Sequence, residues 1–151
     1  MSNAPVLPPI ARALGYAGLL PQAAAVLALL SGNLDWRYIA LAAAYAYAAL
    51  ILSFLGGLWW GLAAHAPKQA PAWIWVAGVV PALVAFATGL PWMTGGDWPG
   101  PSLLVLAIAI LATLAVERNL HRRGLCPVGW LQLRTHLSLG LGALTFAAAL
   151  L

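Results

Sequence analysis

The stretch LSFLGGLWWG, residues 52–61, places two adjacent glycines and two adjacent tryptophans in the middle of a long apolar run. In a water-soluble helix, each glycine would cost about 1 kcal/mol relative to alanine. Residues four apart share one face of a helix. The small residues on one such face are Ala49, Ser53, Gly57 and Gly61. Ladders of this kind let two membrane helices approach closely, so the stretch predicts a membrane helix in close contact with another helix.

The composition of the whole chain supports a lipid environment. Of 151 residues, 64% are hydrophobic and only 7% are charged, whereas a soluble domain usually carries about 25% charged residues. So few charges could not cover a surface that faces water. In lipid, apolar side chains can face outward, provided that the backbone satisfies its own hydrogen bonds.

Five apolar segments divide the chain, and a membrane-spanning helix needs about 20 such residues. They lie at about 11–31, 38–64, 71–90, 101–116 and 133–151. The first could be a signal peptide, but Pro21 in mid-run and the lack of an A-x-A-like site favour a retained helix. We therefore predict an all-α integral membrane bundle of five transmembrane helices, forming a single domain over residues 1–151.

The basic residues predict the orientation of this bundle. With five spans, one side of the membrane holds Arg12, Lys68, Arg118, Arg122, Arg123 and Arg134, and the other holds only Arg37. The positive-inside rule then places the N-terminus in the cytoplasm and the C-terminus outside, most simply in a bacterial inner membrane. The net charge of +4 is scattered through short connections, which argues against nucleic-acid binding.

The glycine pair allows two interpretations. In the first, a neighbouring backbone packs into the groove along Ser53 and Gly57, and Trp60, which lies within about 20° of Ser53 around the helix, covers one end of it. In the second, Gly56 and Gly57 loosen the helix so that carbonyls line a cavity. Trp59 points about 100° away from Trp60.

Two further features bear on these interpretations. Pro21 and Pro81 lie inside the first and third spans, where each removes an amide donor and is expected to kink its helix. Ser138 and Gly142 repeat the small-residue spacing in the fifth span. We expect that span to be a partner of the second, with Ser53 and Ser138 able to form a hydrogen bond across the contact.

Tryptophan is unusually frequent, and indole rings prefer the headgroup region of a membrane. An aromatic belt is the simplest interpretation of the tryptophans at span ends, which are Trp36, Trp73, Trp75, Trp92, Trp98 and Trp130. A sharper alternative is a platform for a planar ligand, built from Trp92 and Trp98 in the proline- and glycine-rich connection 91–101.

The densest polar chemistry lies in the connection 117–136. Its basic patch, Arg118, Arg122, Arg123 and Arg134, suits anionic lipid headgroups or an acidic partner. Glu117 and His121 are four apart and could pair on a helical extension. The charged residues lie near span ends, so we expect no buried charge, which argues against a proton pump or an ion-coupled transporter.

No arrangement of residues predicts catalysis. The three acids, Asp35, Asp97 and Glu117, lie on different connections, and no phosphate-binding glycine loop or HExxH pattern occurs. His121, Cys126 and His136 lack the regular spacing of a metal site. We therefore expect no enzyme activity, no metal and no cofactor.

Several short motifs resemble those of a bacterial membrane family known only as a domain of unknown function, with a relative among mitochondrial transmembrane proteins. These motifs are Gly18-Leu19-Leu20-Pro21, Ser53-Phe54-Leu55-Gly56-Gly57, Trp60-Gly61 and Leu133-Arg134. The resemblance implies a small multi-helix membrane protein and no particular reaction. In architecture the chain is also similar to the tryptophan-rich sensory, or translocator, proteins, which implies porphyrin or sterol binding only by analogy.

The sequence thus leads to two functional hypotheses. The first is an accessory or assembly protein that packs against other membrane subunits, or against itself, through its small-residue and aromatic faces. The second is a carrier or sensor of a hydrophobic planar molecule such as a tetrapyrrole, quinone or sterol. The candidate contact residues are Ser53, Gly56, Gly57, Trp59, Trp60, Gly61, Trp92 and Trp98.

Overall fold

The computed structural model describes residues 6–66, 68, 70–96 and 99–151. Within these ranges it contains helices and no strand. The helices are α1 (Pro9–Ala17), α2 (Leu20–Leu30), α3 (Leu34–His65), α4 (Trp73–Ala77), α5 (Val80–Met93), α6 (Gly100–Arg122) and α7 (Trp130–Leu150). Because α1 with α2, and α4 with α5, form continuous apolar stretches, the described residues hold five segments long and apolar enough to cross a membrane. The predicted all-α bundle of five spans is confirmed, and the protein is a multi-pass membrane protein.

Pro21 and Pro81 interrupt the first and third spans, as expected. α1 ends at Ala17 and α2 begins at Leu20, while α4 ends at Ala77 and α5 begins at Val80. Each proline is the second residue of the helix that follows, where a backbone amide is not needed. Short i to i−3 hydrogen bonds bridge the breaks, from Leu19 N to Tyr16 O and from Val79 N to Val76 O, both 3.0 Å.

The fourth span is longer than its apolar run. We predicted a helix that ends near residue 116, but α6 continues to Arg122. Glu117 and Leu120, which lie on this extension, are both fully buried. The helix continues because these residues face the neighbouring helices instead of water, so an ionisable residue at 117 does not end it.

α3 lies at the centre of the bundle and packs against α2, α4, α5, α6 and α7. Its inner face carries Ala44, Ala48 and Leu52, which are at most 1% exposed. The small side chains of alanine let the helix axes approach closely, which is how membrane helices gain packing energy. α6 and α7 form the most extensive helix pair, as antiparallel neighbours joined by a short connection.

The outer surface of the bundle is apolar. Leu27 on α2, Phe86 on α5 and Ile108 on α6 are each more than 60% exposed. A water-soluble protein rarely exposes large apolar patches of this kind. The surface is therefore compatible with direct contact with lipid.

Candidate functional site: a buried ion pair beside an apolar cavity

The clearest concentration of polar chemistry is an ion pair between α6 and α7. Arg134 Nε donates to Glu117 Oε1 at 2.9 Å and to Oε2 at 3.2 Å. Glu117 is 0% exposed and Arg134 is 7% exposed. Arg134 lies in the second turn of α7, roughly 6 Å along the axis from its first residue at 1.5 Å per residue. The expectation that this protein contains no buried charge is therefore wrong.

The ion pair separates Arg134 from the rest of the predicted basic patch. Arg118, Arg122 and Arg123 are exposed at the end of α6, and Arg123 Nε donates to Asn119 Oδ1 at 2.8 Å. Arg134 instead points into the bundle. The sequence spacing allowed Glu117 to pair with His121, but Glu117 pairs with Arg134, and His121 is exposed.

Neutral groups surround the ion pair. Arg134 Nη2 donates to Ser138 Oγ at 3.3 Å, one helical turn further along α7. Trp59 on α3 is 3% exposed. Its indole N–H has no hydrogen-bond partner among the described residues, but lies within interaction range of the Glu117 carboxylate. Three helices therefore contribute to the polar cluster.

The connection between α6 and α7 closes the cluster from one end of the bundle. Leu125 packs into a second apolar core with Trp59, Ile74 and Leu120, and Cys126 is packed against this core. Burial, and to a smaller extent the negative charge of nearby Glu117, raise the pKa of the Cys126 thiol to about 11. The thiol is therefore a neutral apolar contact at physiological pH.

An apolar cavity of about 170 Å³ lies beside the ion pair, between the first span, α3 and α7. Its polar lining consists of the Arg134 and Ser138 side chains, and Leu137 and Leu141 contribute apolar walls. Leu14, another lining residue, is 65% exposed. The cavity therefore reaches from a charged group inside the bundle to the surface that faces lipid.

The two glycines of LSFLGGLWWG have different environments. Gly56 is buried, and a Cβ atom there would collide with the Gly78 carbonyl oxygen at the break between α4 and α5. Gly57 and Gly61 are exposed, and a Cβ atom at either would meet nothing within 4 Å. The predicted small-residue ladder therefore faces outward, and the close backbone contact of α3 is made by Gly56.

The fifth span does pack against the second, since α7 contacts α3, but Ser53 and Ser138 form other hydrogen bonds. Ser53 Oγ donates to Ala49 O in its own helix at 3.0 Å, and Ser138 accepts from Arg134. The hydrogen bond expected between Ser53 and Ser138 is absent from the described contacts. Gly142 on α7 packs instead against the side chain of Leu111 on α6.

Trp60, which was expected to cover one end of the groove along Ser53 and Gly57, packs against the third span. Its Nε1 donates to Trp75 O at 2.9 Å, and the two indole rings meet edge to face at 5.4 Å. A Cβ atom at Gly78 would collide with the Trp60 ring. Trp60 therefore packs on the break in the third span, where Trp75 O is an available acceptor.

Of the two tryptophans of the proposed ligand platform, Trp92 lies among the described residues. Trp92 packs edge to face with Tyr38 and Tyr45, at ring-centroid distances of 5.8 and 5.7 Å. Asp97 and Trp98 lie outside the described residues. Trp92 therefore has aromatic neighbours on α3, which gives it a packing role at this end of the bundle.

A second buried polar contact was not anticipated from the sequence. Gln22 on α2 is fully buried, and its Nε2 donates to Thr145 Oγ1 on α7 at 3.1 Å. Its Oε1 has no partner among the described residues. A glutamine directly after Pro21 in an apolar run was the available signal, because an amide in hydrocarbon requires a hydrogen-bond partner.

Among residues 6–66, 68, 70–96 and 99–151, no group of three or more histidine, cysteine or acidic side chains could hold a metal ion. The chemistry present is that of an ion pair, a few hydroxyl and indole donors, and an apolar cavity. This combination can bind and position a molecule.

Comparison with known proteins supports the resemblance seen in the sequence. Neither the curated proteins nor the solved structures contain a match to this chain. A family model described as a protein of unknown function, DUF3429, matches residues 7–150. Because this match covers nearly the whole chain, the protein belongs to the DUF3429 family.

Proposed function

We propose that this protein is a non-catalytic accessory or assembly component of a bacterial inner membrane, and that it receives a neighbouring membrane helix on the outward small-residue face of α3. The observation that carries the proposal is the open surface at Gly57 and Gly61, where a Cβ atom on either residue would meet no neighbouring atom of the described chain within 4 Å.

The shape of this face suits helix docking. Phe54 is 60% exposed and Leu50 is 68% exposed on the helical turns that precede the glycines, so the glycines form a notch after large side chains. Between membrane helices, association depends on close van der Waals packing, since lipid tails are as apolar as leucine. A partner helix could approach the α3 backbone at the notch more closely than elsewhere on the helix.

The basic end of the bundle is proposed to face the cytoplasm. Arg12 Nη2 would lie 3.0 Å from a Cβ atom at Gly129, so the start of the first span and the connection between α6 and α7 share one end. Arg118 and Arg122 are exposed at the same end. The positive-inside rule then gives an inside N-terminus and an outside C-terminus, with the arginines available to anionic lipid or an acidic partner.

Site-directed crosslinking in native membranes tests the docking proposal. A photoreactive amino acid at position 57 or 61 should yield adducts with a second copy or with another membrane protein. The matched control is position 83 on α5, since Leu83 is 60% exposed but lies outside the small-residue face. Equal crosslinking at all three positions, or a lone monomer in mild detergent without adducts, would contradict the proposal.

A second candidate function is the binding of a hydrophobic small molecule. The cavity beside Arg134 favours it, because that cavity combines apolar walls with a few polar groups, as small-molecule sites usually do. Retention of a lipophilic molecule by the purified protein, and loss of that molecule when the cavity is filled, would support this second function.

A further inference from the structure

We infer that the cavity beside Arg134 binds a lipid-soluble molecule that presents a neutral carbonyl oxygen to the guanidinium, such as a quinone ring or another ring ketone with an apolar tail. This inference rests on the second candidate function, the binding of a hydrophobic molecule. It names the chemical class of that molecule and the residue that recognises it.

Arg134 has hydrogen-bond donors that its protein partners do not use. A guanidinium carries five N–H donors. The Nε donor is used by Glu117, and one Nη2 donor is used by Ser138. Nη1 has no hydrogen-bond partner among the described residues, and it is not completely buried. Arg134 lines the cavity, so an acceptor bound there would lie beside a guanidinium that still has unused donors.

Charge and hydrogen bonding restrict the kind of ligand that suits the cavity. Glu117 already neutralises Arg134 inside the bundle. An anionic ligand would add a negative charge without a cation to balance it, which is costly away from water. A ligand without any acceptor would leave the buried N–H groups unsatisfied, which is also unfavourable. A neutral oxygen acceptor avoids both costs.

The size and the opening of the cavity suit a ring with an apolar tail. The cavity measures about 170 Å³, and a dry protein cavity of about 150 Å³ is large enough to bind benzene. One six-membered ring therefore fits beside the guanidinium. Leu14 and Phe54 line the cavity and are 65% and 60% exposed, so they mark an opening through which an alkyl tail would extend into lipid.

Binding to the purified full chain in detergent micelles tests the inference with three probes. Each probe contains a ten-carbon chain. Decylubiquinone carries neutral carbonyls, decylbenzene carries a ring without an acceptor, and decanoate carries a charge. Affinities are corrected for partition into empty micelles, and the ¹⁵N resonances of Arg134 report contact at the guanidinium. We expect decylubiquinone to bind at least about 10-fold more tightly than either other probe and to shift those resonances.

Two variants identify the cavity. Leu137→Trp fills it from α7 and should weaken decylubiquinone binding at least about 10-fold. The matched control, Leu139→Trp, places the same ring on the same helix at a side chain that is 53% exposed, and should leave binding unchanged. If Leu137→Trp does not fold, Leu14→Trp obstructs the opening from an exposed position and should have the same effect.

Several results would overturn the inference. These are binding of no probe, equal affinity for decylubiquinone and decylbenzene, tighter binding of decanoate, or decylubiquinone binding that cavity-filling variants do not weaken. If another molecule co-purifies and Leu137→Trp removes it, hydrophobic-ligand binding stands while the carbonyl assignment is decided by the three probes. The docking proposal is tested separately, because Gly57 and Gly61 do not line the cavity.

Discussion

The two sides of α3 use the same residue types in opposite ways. On the inner side, Gly56 allows the backbone of the third span to come into contact, and Trp59 is buried beside Glu117. On the outer side, a Cβ atom at Gly57 or Gly61 would meet nothing within 4 Å in the described chain. One step along a helix turns the side chain by about 100°, so adjacent identical residues can have unrelated roles. The inner side is where we expect substitutions to affect stability most.

The largest expected effect on stability comes from the ion pair between Glu117 and Arg134, which lies beside the inner side of α3. Arg134→Ala leaves Glu117 buried without its partner, and we expect a loss of about 3–5 kcal/mol in the free energy of unfolding. Reversible unfolding in mixed micelles measures this loss. The double variant Glu117→Leu with Arg134→Met removes both charges and should recover most of the stability. A single variant within about 1 kcal/mol of the parent would show that water reaches the carboxylate.

The next largest effect on stability is expected from substitutions in the glycine pair, Gly56 and Gly57. Gly56→Ala should destabilise the fold by about 1–3 kcal/mol, because the new methyl group collides with the Gly78 carbonyl oxygen and the backbones must separate. Gly57→Ala should be neutral or stabilising by up to about 1 kcal/mol, because it removes the entropic cost of glycine in open space. The same unfolding assay compares them. Equal changes in the free energy of unfolding for the two variants would contradict the distinction between the two sides of α3.

A smaller effect is expected from Trp60, which joins α3 to the break in the third span. Trp60→Phe retains an aromatic ring but loses the hydrogen bond to Trp75 O, so we expect a loss of about 0.5–1.5 kcal/mol. Trp36→Phe is a suitable control, because Trp36 is 57% exposed near the start of α3. A control variant as destabilised as Trp60→Phe would indicate a general effect of removing an indole.

The smallest effect is expected in the alkylation rate of the Cys126 thiol. Because its pKa is raised to about 11 and the thiolate is the reactive form, the rate of maleimide alkylation should rise about tenfold per pH unit from pH 7 to 10. Glu117→Gln removes a charge that raises this pKa, so it should increase the rate at a fixed pH of 8. A plateau below pH 9 would show that the thiol is exposed to water and not packed against the second core.

Parts of the candidate site could be predicted from the sequence and parts could not. Pro21 and Pro81 were expected to interrupt their spans, and both do, because a missing amide acts locally. The pairing of Glu117 with Arg134 was not predicted. The two residues lie seventeen positions apart on different helices, and only the rotation of α6 against α7 makes them face each other. The glycine ladder was recognised, but whether it faces another helix of this chain or another protein was left open.

The sequence by itself determined that the protein lies in lipid, how many spans it has and where those spans break. These properties depend on the length of apolar runs, the scarcity of charge and the covalent chemistry of proline, which act within one segment. Only the tertiary structure decided that Gly56 and not Gly57 makes the close contact, that Arg134 turns inward, and that a cavity opens beside it. Each of these depends on the angle at which one helix is rotated against its neighbour, and that angle is set by the packing of the whole bundle.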